Sequence, residues 1–366
     1  MNRLFLPLLI SVLAGSGPAT ALPLQQLTIH GPHADQLALS QAAQVNNARQ
    51  MALAPDGTLF VGTRRAGKVW ALQDTDRDGQ YEQRYLLASG LGMPSGIAFH
   101  QGTLYIADIG QILRLPDILS QLASPPEPET LPVRLPDDSH HGWKYLRVGP
   151  DGWLYFNIGA PCNICLSQNP LYASIVRLPL SGGEAEIIAH GVRNSVGFDW
   201  DRHGSLWFSD NGRDHWGDDR PDDELNRLGQ PGQHFGYPFL HADNLKDPIF
   251  GKRSGRLSRY QPPKALLGAH VAPLGIHFYR NGSLAGLDRN SLLVAEHGSW
   301  NRSRKVGYRV VQLQVNGTEV VSQTVLIDGW LQGQRHWGRP VDIIEDLDGT
   351  LLISDDHAGV IYRLCR

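Results

Sequence analysis

One hairpin signature recurs five times along this 366-residue chain, with a weaker sixth copy. Each copy is an apolar strand, a tight turn, a second strand ending in small or polar residues, and a third strand of apolar-Arg-Leu type. The turns read Asp56-Gly57-Thr58, Gln101-Gly102-Thr103, Asp151-Gly152-Trp153, His203-Gly204-Ser205 and Asp348-Gly349-Thr350, and the weak copy is Arg289-Asn290-Ser291. Asp-Gly and Asn-Ser between strand-like runs mark hairpins because those residues tolerate positive φ. A hairpin repeated at a regular period means one supersecondary unit stacked around a ring or along a solenoid.

The period favours the ring. From Gly57 the steps to Gly102, Gly152 and Gly204 are 45, 50 and 52 residues, and those on to Asn290 and Gly349 are 86 and 59. Four-stranded propeller blades take roughly 40–50 residues. Six units with an insertion at about 210–267 predict an all-β fold, a six-bladed β-propeller occupying residues 22–366. The last unit shows three strands, Val341–Ile344, Leu351–Ser354 and Val360–Leu364, and the run Leu24–Ile29 is expected to supply the fourth and close the ring. Closure removes exposed sheet edges. Glycine (40) and proline (24) are plentiful, as many short strands require. A net charge of −3 without blocks of like charge excludes nucleic-acid binding as the main function.

Residues 1–21 read as a secretory signal: Arg3, an apolar run from Leu4 to Ala14, then Ala19-Thr20-Ala21 as a cleavage site. This predicts an exported protein, periplasmic or secreted. The run is too short to span a bilayer, and no later run of about 18 apolar residues predicts stable membrane insertion. In an exported chain Cys162-Asn163-Ile164-Cys165 is most simply a local disulfide, leaving Cys365 free.

The repeat also predicts where function sits. The strand before each turn is expected innermost, with its first residues facing one mouth of the channel. Those starts include Arg49, His140-His141, Arg193-Asn194 and Arg339. Three arginines and a histidine would then share one pit. Buried like charges are costly to desolvate, so the pattern fits an anionic cofactor or substrate, unless single arginines pair with acids such as Asp342 or Glu345. A histidine at such a position suits a general base. The insertion opens on Asp210-Asn211-Gly212-Arg213-Asp214 and continues to Asp222-Asp223-Glu224, acidic residues around a glycine turn that suit a hard cation. Asp74-Thr75-Asp76-Arg77-Asp78-Gly79 matches half of a calcium loop, but position 12 is Tyr85, and a plain turn is an equal reading.

From about Val45 to Leu364 the chain resembles the soluble quinoprotein glucose/sorbosone dehydrogenases. The resemblance rests on His141 with Leu146-Arg147-Val148-Gly149-Pro150-Asp151-Gly152, Gly191-Val192-Arg193-Asn194, Asp222-Asp223-Glu224-Leu225-Asn226, Phe235-Gly236-Tyr237-Pro238, His297-Gly298-Ser299-Trp300-Asn301-Arg302, Gly338-Arg339-Pro340-Val341 and Ser354-Asp355-Asp356-His357-Ala358-Gly359. It implies a six-bladed propeller holding pyrroloquinoline quinone (PQQ) and Ca²⁺, with a sugar as substrate and an electron acceptor as partner. His141 falls on the family's general base and Arg193 on the arginine that polarises the quinone oxygen. Asn194 and Arg339 fall on cofactor contacts, to which the strand-start pattern adds Arg49 and the missing lysine leaves Arg302 as the nearest cation; Gly212 and Arg213 fall on the pair whose backbone carbonyls ligate calcium, to which the acidic insertion adds Asp222. The chain departs from the glucose enzymes in carrying His140 before the base, His297-Gly298-Ser299-Trp300 where they have a lysine, and Trp337 where they have a second cofactor arginine. A calcium-dependent lactonase on the same architecture and a non-catalytic binding propeller are the alternatives; the cationic strand starts argue against the former.

Overall fold

The computed structural model describes residues 22–257 and 259–366; the expected leader, residues 1–21, lies outside them. The sheets form six blades. Blade 1 is built from Ala48–Leu53, Leu59–Thr63, Val69–Gln73 and Gln83–Ala88; blade 2 from Gly96–His100, Thr103–Asp108, Gln111–Leu115 and Glu129–Thr130. Blade 3 runs through Leu146–Val148, Leu154–Ile158, Ser174–Leu178 and Glu186–His190, and blade 4 through Phe198–Trp200, Leu206–Asp210, Asp222–Arg227 and Ala265–Ala269. Blade 5 takes Pro273–Phe278, Ser291–Glu296, Arg309–Asn316 and Glu319–Asp328. Among the described residues helix is confined to four 3₁₀ turns.

The turn chemistry works as read. Gly57, Gly102, Gly152, Gly204 and Gly349 all have positive φ, and Asn290 does not. In the weak copy Asp288 instead accepts the Asn290 N–H at 2.8 Å, a side-chain turn that needs no left-handed residue.

Ring closure differs from expectation. Blade 6 consists of Pro340–Glu345, Leu351–Asp355 and Val360–Cys365, and its fourth strand is Ala38–Gln44, not Leu24–Ile29. Within that earlier run only Thr28–Ile29 is a strand, and it pairs with Ile327 and Asp328 at the outer edge of blade 5. The N-terminal segment therefore straps two blades. The insertion also resolves into parts: Asp222–Arg227 is the third strand of blade 4, and the excursion after it returns at Ala265, with Gln233–His234 adding a parallel fifth strand to blade 3.

Alternate residues of each strand face opposite seams. Both faces of the second strands are buried, so they read as unbroken apolar runs: Leu59 and Val61 pack toward blade 6, Phe60 toward blade 2, where its ring stacks on Phe99 at 5.3 Å. One cluster of buried side chains fills each of the six seams. Burial of each Leu, Ile or Phe stabilises by roughly 1.5–3 kcal/mol. Near the axis the inner strands approach so closely that a Cβ on Gly275 would meet Asp342 at 2.5 Å. Tyr145 Oη donates to Asp342 Oδ1 at 3.1 Å, joining the opposed blades 3 and 6 and closing the channel below one mouth.

Candidate active site

A carboxylate at the end of the second strand organises that mouth. Asp108 accepts the Gly92 and Met93 N–H groups, at 3.1 and 2.6 Å. Asp210 accepts those of Arg193 and Asn194, at 2.8 and 2.6 Å. Asp355 lies against the same segment of blade 6, its Oδ2 standing where a Cβ on Gly338 would be. Asp108 and Asp210 thus each pin the segment entering the inner strand of their own blade. Backbone donors satisfy Asp210 although burial raises its pKa to about 7. The strand starts and the loops leaving the second strands meet around one pit of about 220 Å³.

Arg49, His141, Arg193, Asn194, Gly212 and Arg339 all line this pit. His141 is buried and sits at φ +51°, a left-handed conformation uncommon for a side chain of this size. A Cβ on Gly159 would lie 2.5 Å from the His141 Cβ, so the neighbouring strand end has to be bare. His141 Nδ1 donates to the Ala160 carbonyl at 2.8 Å, which leaves Nε2 as the acceptor. Burial first, then the Arg193 and His140 charges, push its pKa down to about 2, so the imidazole is neutral.

The arginines divide. Arg49 pairs with Asp356 at 3.0 Å, and Asp356 also accepts from His297 Nε2 at 2.8 Å. Despite their burial, these partners hold Asp356 well below the usual carboxylate range. Arg193 meets Asp214 at 3.1 Å, and its Nε and Nη2 donate to the backbone and side-chain oxygens of Asn163, both at 2.9 Å. Among the described residues Arg339 bonds only to carbonyls, His297 O at 2.9 Å and Gly298 O at 2.6 Å, and its guanidinium lies 5.4 Å from the Tyr308 ring centre. The acids named from the sequence as partners are engaged elsewhere: Asp342 with Tyr145 and Glu345 with His277.

Two residues expected at the site, Arg302 and Asp222, do not line the pit, and of Arg213 the side chain points away. Arg302 reaches outward to the Asp218 carbonyl and pairs with Asp219 at 2.9 Å. The Arg213 side chain turns away to Asp247 at 2.6 Å and the Trp216 ring. Asp222 does not line the pit; Asp223 does, because neighbouring residues on a strand face opposite ways. Asp223 holds the Gly212 and Ala272 N–H groups at 2.7 and 2.8 Å, and burial raises its pKa to about 8. Trp337 packs against the blade 5–6 core, its Nε1 donating to Gly329 O. Among the described residues the one side-chain cluster with metal-ligand geometry is Asp74, Asp76 and Asp78, whose oxygens also cap their own loop.

Sequence reading missed a fourth cation. Arg64, on the loop leaving the second strand of blade 1, lies over the Trp143 ring at 4.1 Å and lines the pit. Burial and the Arg49 charge lower its pKa to about 10. Among the described residues its Nε, Trp143 Nε1 and Asn301 Nδ2 are buried donors without partners, and Asn194 Oδ1 is likewise unpartnered. Four guanidinium groups thus share two paired acids, Asp214 and Asp356, with idle donors beside them. A planar, oxygen-rich polyanion matches that donor set.

This fold is shared with structures of two PQQ-binding sugar dehydrogenases and of a carbohydrate-active enzyme. The holo PQQ domain of pyranose dehydrogenase from Coprinopsis cinerea superposes with a TM-score of 0.75 at 20% identity, covering 93% of this chain and 97% of that one. The calcium structure of a family AA12 enzyme from Trichoderma reesei gives 0.77 at 19%, covering 90% and 96%. PQQ-bound aldose sugar dehydrogenase from Streptomyces coelicolor gives 0.63 at 19%, covering 90% and 98%. By sequence, the chain belongs to the family described as a domain of unknown function (DUF7133), matched over residues 42–363. An uncharacterized protein of Borreliella burgdorferi is 33% identical over 323 residues, 84% of this chain and 83% of that protein. A PQQ-dependent pyranose dehydrogenase of Coprinopsis cinerea is 27% identical over 283 residues, 60% of this chain and 37% of that protein.

Proposed function

We propose that this protein is an exported, PQQ-dependent dehydrogenase that oxidises a sugar or aldehyde-sugar. The observation that carries the reading is the pit itself: a neutral, tautomer-fixed histidine beside Arg193, among an excess of cations and unpartnered donors. The similarity to PQQ-binding sugar dehydrogenases supports the choice of polyanion. Arg49, Arg64 and Arg339 are assigned to the cofactor's carboxylates, and Arg193 with Asn194 to its quinone edge. When bound, PQQ would supply a quinone able to take a hydride from the substrate carbon. The chain supplies the rest. His141 Nε2 accepts the proton of the substrate hydroxyl, and the Ala160 carbonyl holds the tautomer that makes this atom the acceptor. An anion beside Arg193 would offset that guanidinium's field and make the imidazole a stronger base than in the bare pit.

Calcium is assigned to the Gly212–Arg213 backbone carbonyls with Asp214, the acid nearest them in sequence that lines the pit. Export rests on the N-terminal pattern at residues 1–21 and agrees with the Cys162–Cys165 disulfide. A lactonase needs a central carboxylate cage, whereas Asp210 and Asp223 are committed to backbone N–H groups.

The test is reconstitution with PQQ and Ca²⁺, followed by absorbance before and after addition of aldoses and sorbosone. Bleaching of the quinone band by one of these sugars is expected. Absence of PQQ binding by the wild-type protein would overturn the assignment.

A further inference from the structure

Arg193 and His141 come from different blades, and one short segment touches both. Residues 160–165 leave the second strand of blade 3. The Ala160 carbonyl accepts His141 Nδ1–H at 2.8 Å, and the Ala160 N–H donates to the Arg193 carbonyl at 2.8 Å. Asn163 then holds the guanidinium twice, through its backbone oxygen to Nε and its Oδ1 to Nη2. Asn163 also bridges to Asp214, the acid paired with Arg193: Oδ1 accepts the Asp214 N–H at 2.8 Å, and Nδ2 donates to the Asp214 carbonyl at 3.1 Å. Asn163 lies between the bonded cysteines, Cys162 and Cys165. Cys165 is tied further by its N–H to Tyr237 Oη at 3.0 Å.

A four-residue loop carrying two correctly oriented acceptors for one guanidinium has no regular secondary structure to hold it. The covalent link removes most of its alternative conformations. The geometry points to the Cys162–Cys165 loop as the positioning device of the pit: the disulfide fixes Asn163, Asn163 fixes the direction of the Arg193 guanidinium, and Ala160 fixes the tautomer of His141. Asn163 is thereby a positioning residue, and the assignment of Arg193 to the cofactor rests on the proposed function. The loop is open to a reductant, since Cys165 also lines a cleft of about 170 Å³. A dithiol such as dithiothreitol would give it two electrons and two protons, opening the bond to two thiols while closing its own disulfide. The guanidinium would then lose its two Asn163 acceptors and keep the Asn211 carbonyl, on Nη1 at 3.1 Å, and Asp214, without any change in the residues of the pit.

Two readouts test this, one needing no cofactor. In the apo protein, phenylglyoxal modification of Arg193, followed by peptide mass spectrometry, reports whether the guanidinium is held. PQQ affinity, followed by quenching of tryptophan fluorescence, reports the consequence. Removing a hydrogen bond to a charged group costs roughly ten- to a hundred-fold in an equilibrium constant. Asn163→Ala, with the disulfide intact, should therefore raise Arg193 reactivity about tenfold or more and weaken PQQ by a similar factor. Asn163→Asp, which keeps Oδ1 for the guanidinium, should keep Arg193 protected. Dithiol-treated wild type and the Cys162→Ala/Cys165→Ala variant should both resemble Asn163→Ala, with circular dichroism confirming the fold. Unchanged Arg193 reactivity in Asn163→Ala and in the folded double variant would overturn the inference. If the wild type binds no PQQ, the proposed function fails, while Arg193 reactivity still decides whether the loop positions it.

Discussion

Gly159→Ala tests the site from a residue that carries no charge and no chemistry. The added Cβ would stand 2.5 Å from the Cβ of His141, 2.9 Å from its carbonyl oxygen and 3.4 Å from Asn194 Oδ1. Carbon atoms in contact prefer about 3.5–4.0 Å, so the overlap with His141 is on the order of 1 Å. The histidine cannot yield cheaply. Its backbone already occupies the left-handed region, and its ring is tied to Ala160 O, one residue beyond the new methyl. Overpacking of this size costs about 1–3 kcal/mol. Urea denaturation of the apo protein should show that loss as a lower midpoint at unchanged slope. The same push displaces the proton acceptor, so turnover with PQQ and the best sugar should fall about 10²–10⁴-fold, the usual worth of a positioned base. The control is Gly152→Ala, at a turn with open space around the new methyl; its cost comes from backbone strain alone and should leave turnover intact. A Gly159→Ala protein with wild-type stability and turnover would refute the placement of His141 against the strand end.

Further outcomes follow from the same geometry. His141→Ala should keep PQQ and lose about 10²–10⁴-fold in turnover, whereas His140→Ala should lose far less; steady-state kinetics of the reconstituted variants decides. Arg64→Ala should weaken PQQ in fluorescence titrations, while Arg302→Ala, paired outside the pit with Asp219, should leave its affinity within about threefold. Burial lowers the folded-state pKa of His141 to about 2 and of His234 to about 4, so the unfolded chain binds protons first on acidification. The stability these two histidines contribute to the apo protein should be fully present above pH 6.5 and be lost as pH falls from 6.5 toward 4, read as the difference in urea midpoint between the wild type and the His141→Ala/His234→Ala variant across that range. Thiol titration of the denatured, unreduced protein should give one thiol per chain, from Cys365.

What the sequence revealed followed its repeat. Turn glycines and the first residues of inner strands recur at fixed offsets, so Arg49, His141, Arg193 and Arg339 could be assigned to one mouth before any coordinates. Ring closure had no such marker. An outer blade strand is half solvated, and Ala38–Gln44, with its Ser and Gln residues, is less apolar than Leu24–Ile29, whose leucines instead pack as partly buried side chains on the blade 5–6 core. Asp222 and Asp223 are equivalent in a motif but opposite on a strand, and only the register of blade 4 separates them. Arg302 neighbours pit residues in sequence, yet its loop folds outward to Asp218 and Asp219. Arg64 was missed because only strand starts were considered. The ends of second strands reach the same mouth, and a cation immediately after Thr63 was the available signal.

The strap at the N-terminus has a bearing on how the chain is made. Ala38–Gln44 emerges early in synthesis, but its partner, Val360–Cys365, is the last strand to emerge, and Thr28–Ile29 waits for residues 327–328. Pairing across more than three hundred residues is slow, because the whole intervening chain must be ordered before these contacts can form. Until then the sixth seam stays open, and Ala42, Ala43 and Val45 lack the Leu352 and Ile361 they pack against. A nascent chain therefore cannot complete its ring until Val360–Cys365 has emerged, and a chain cut short of that strand would be left with one seam open however well the other five had packed.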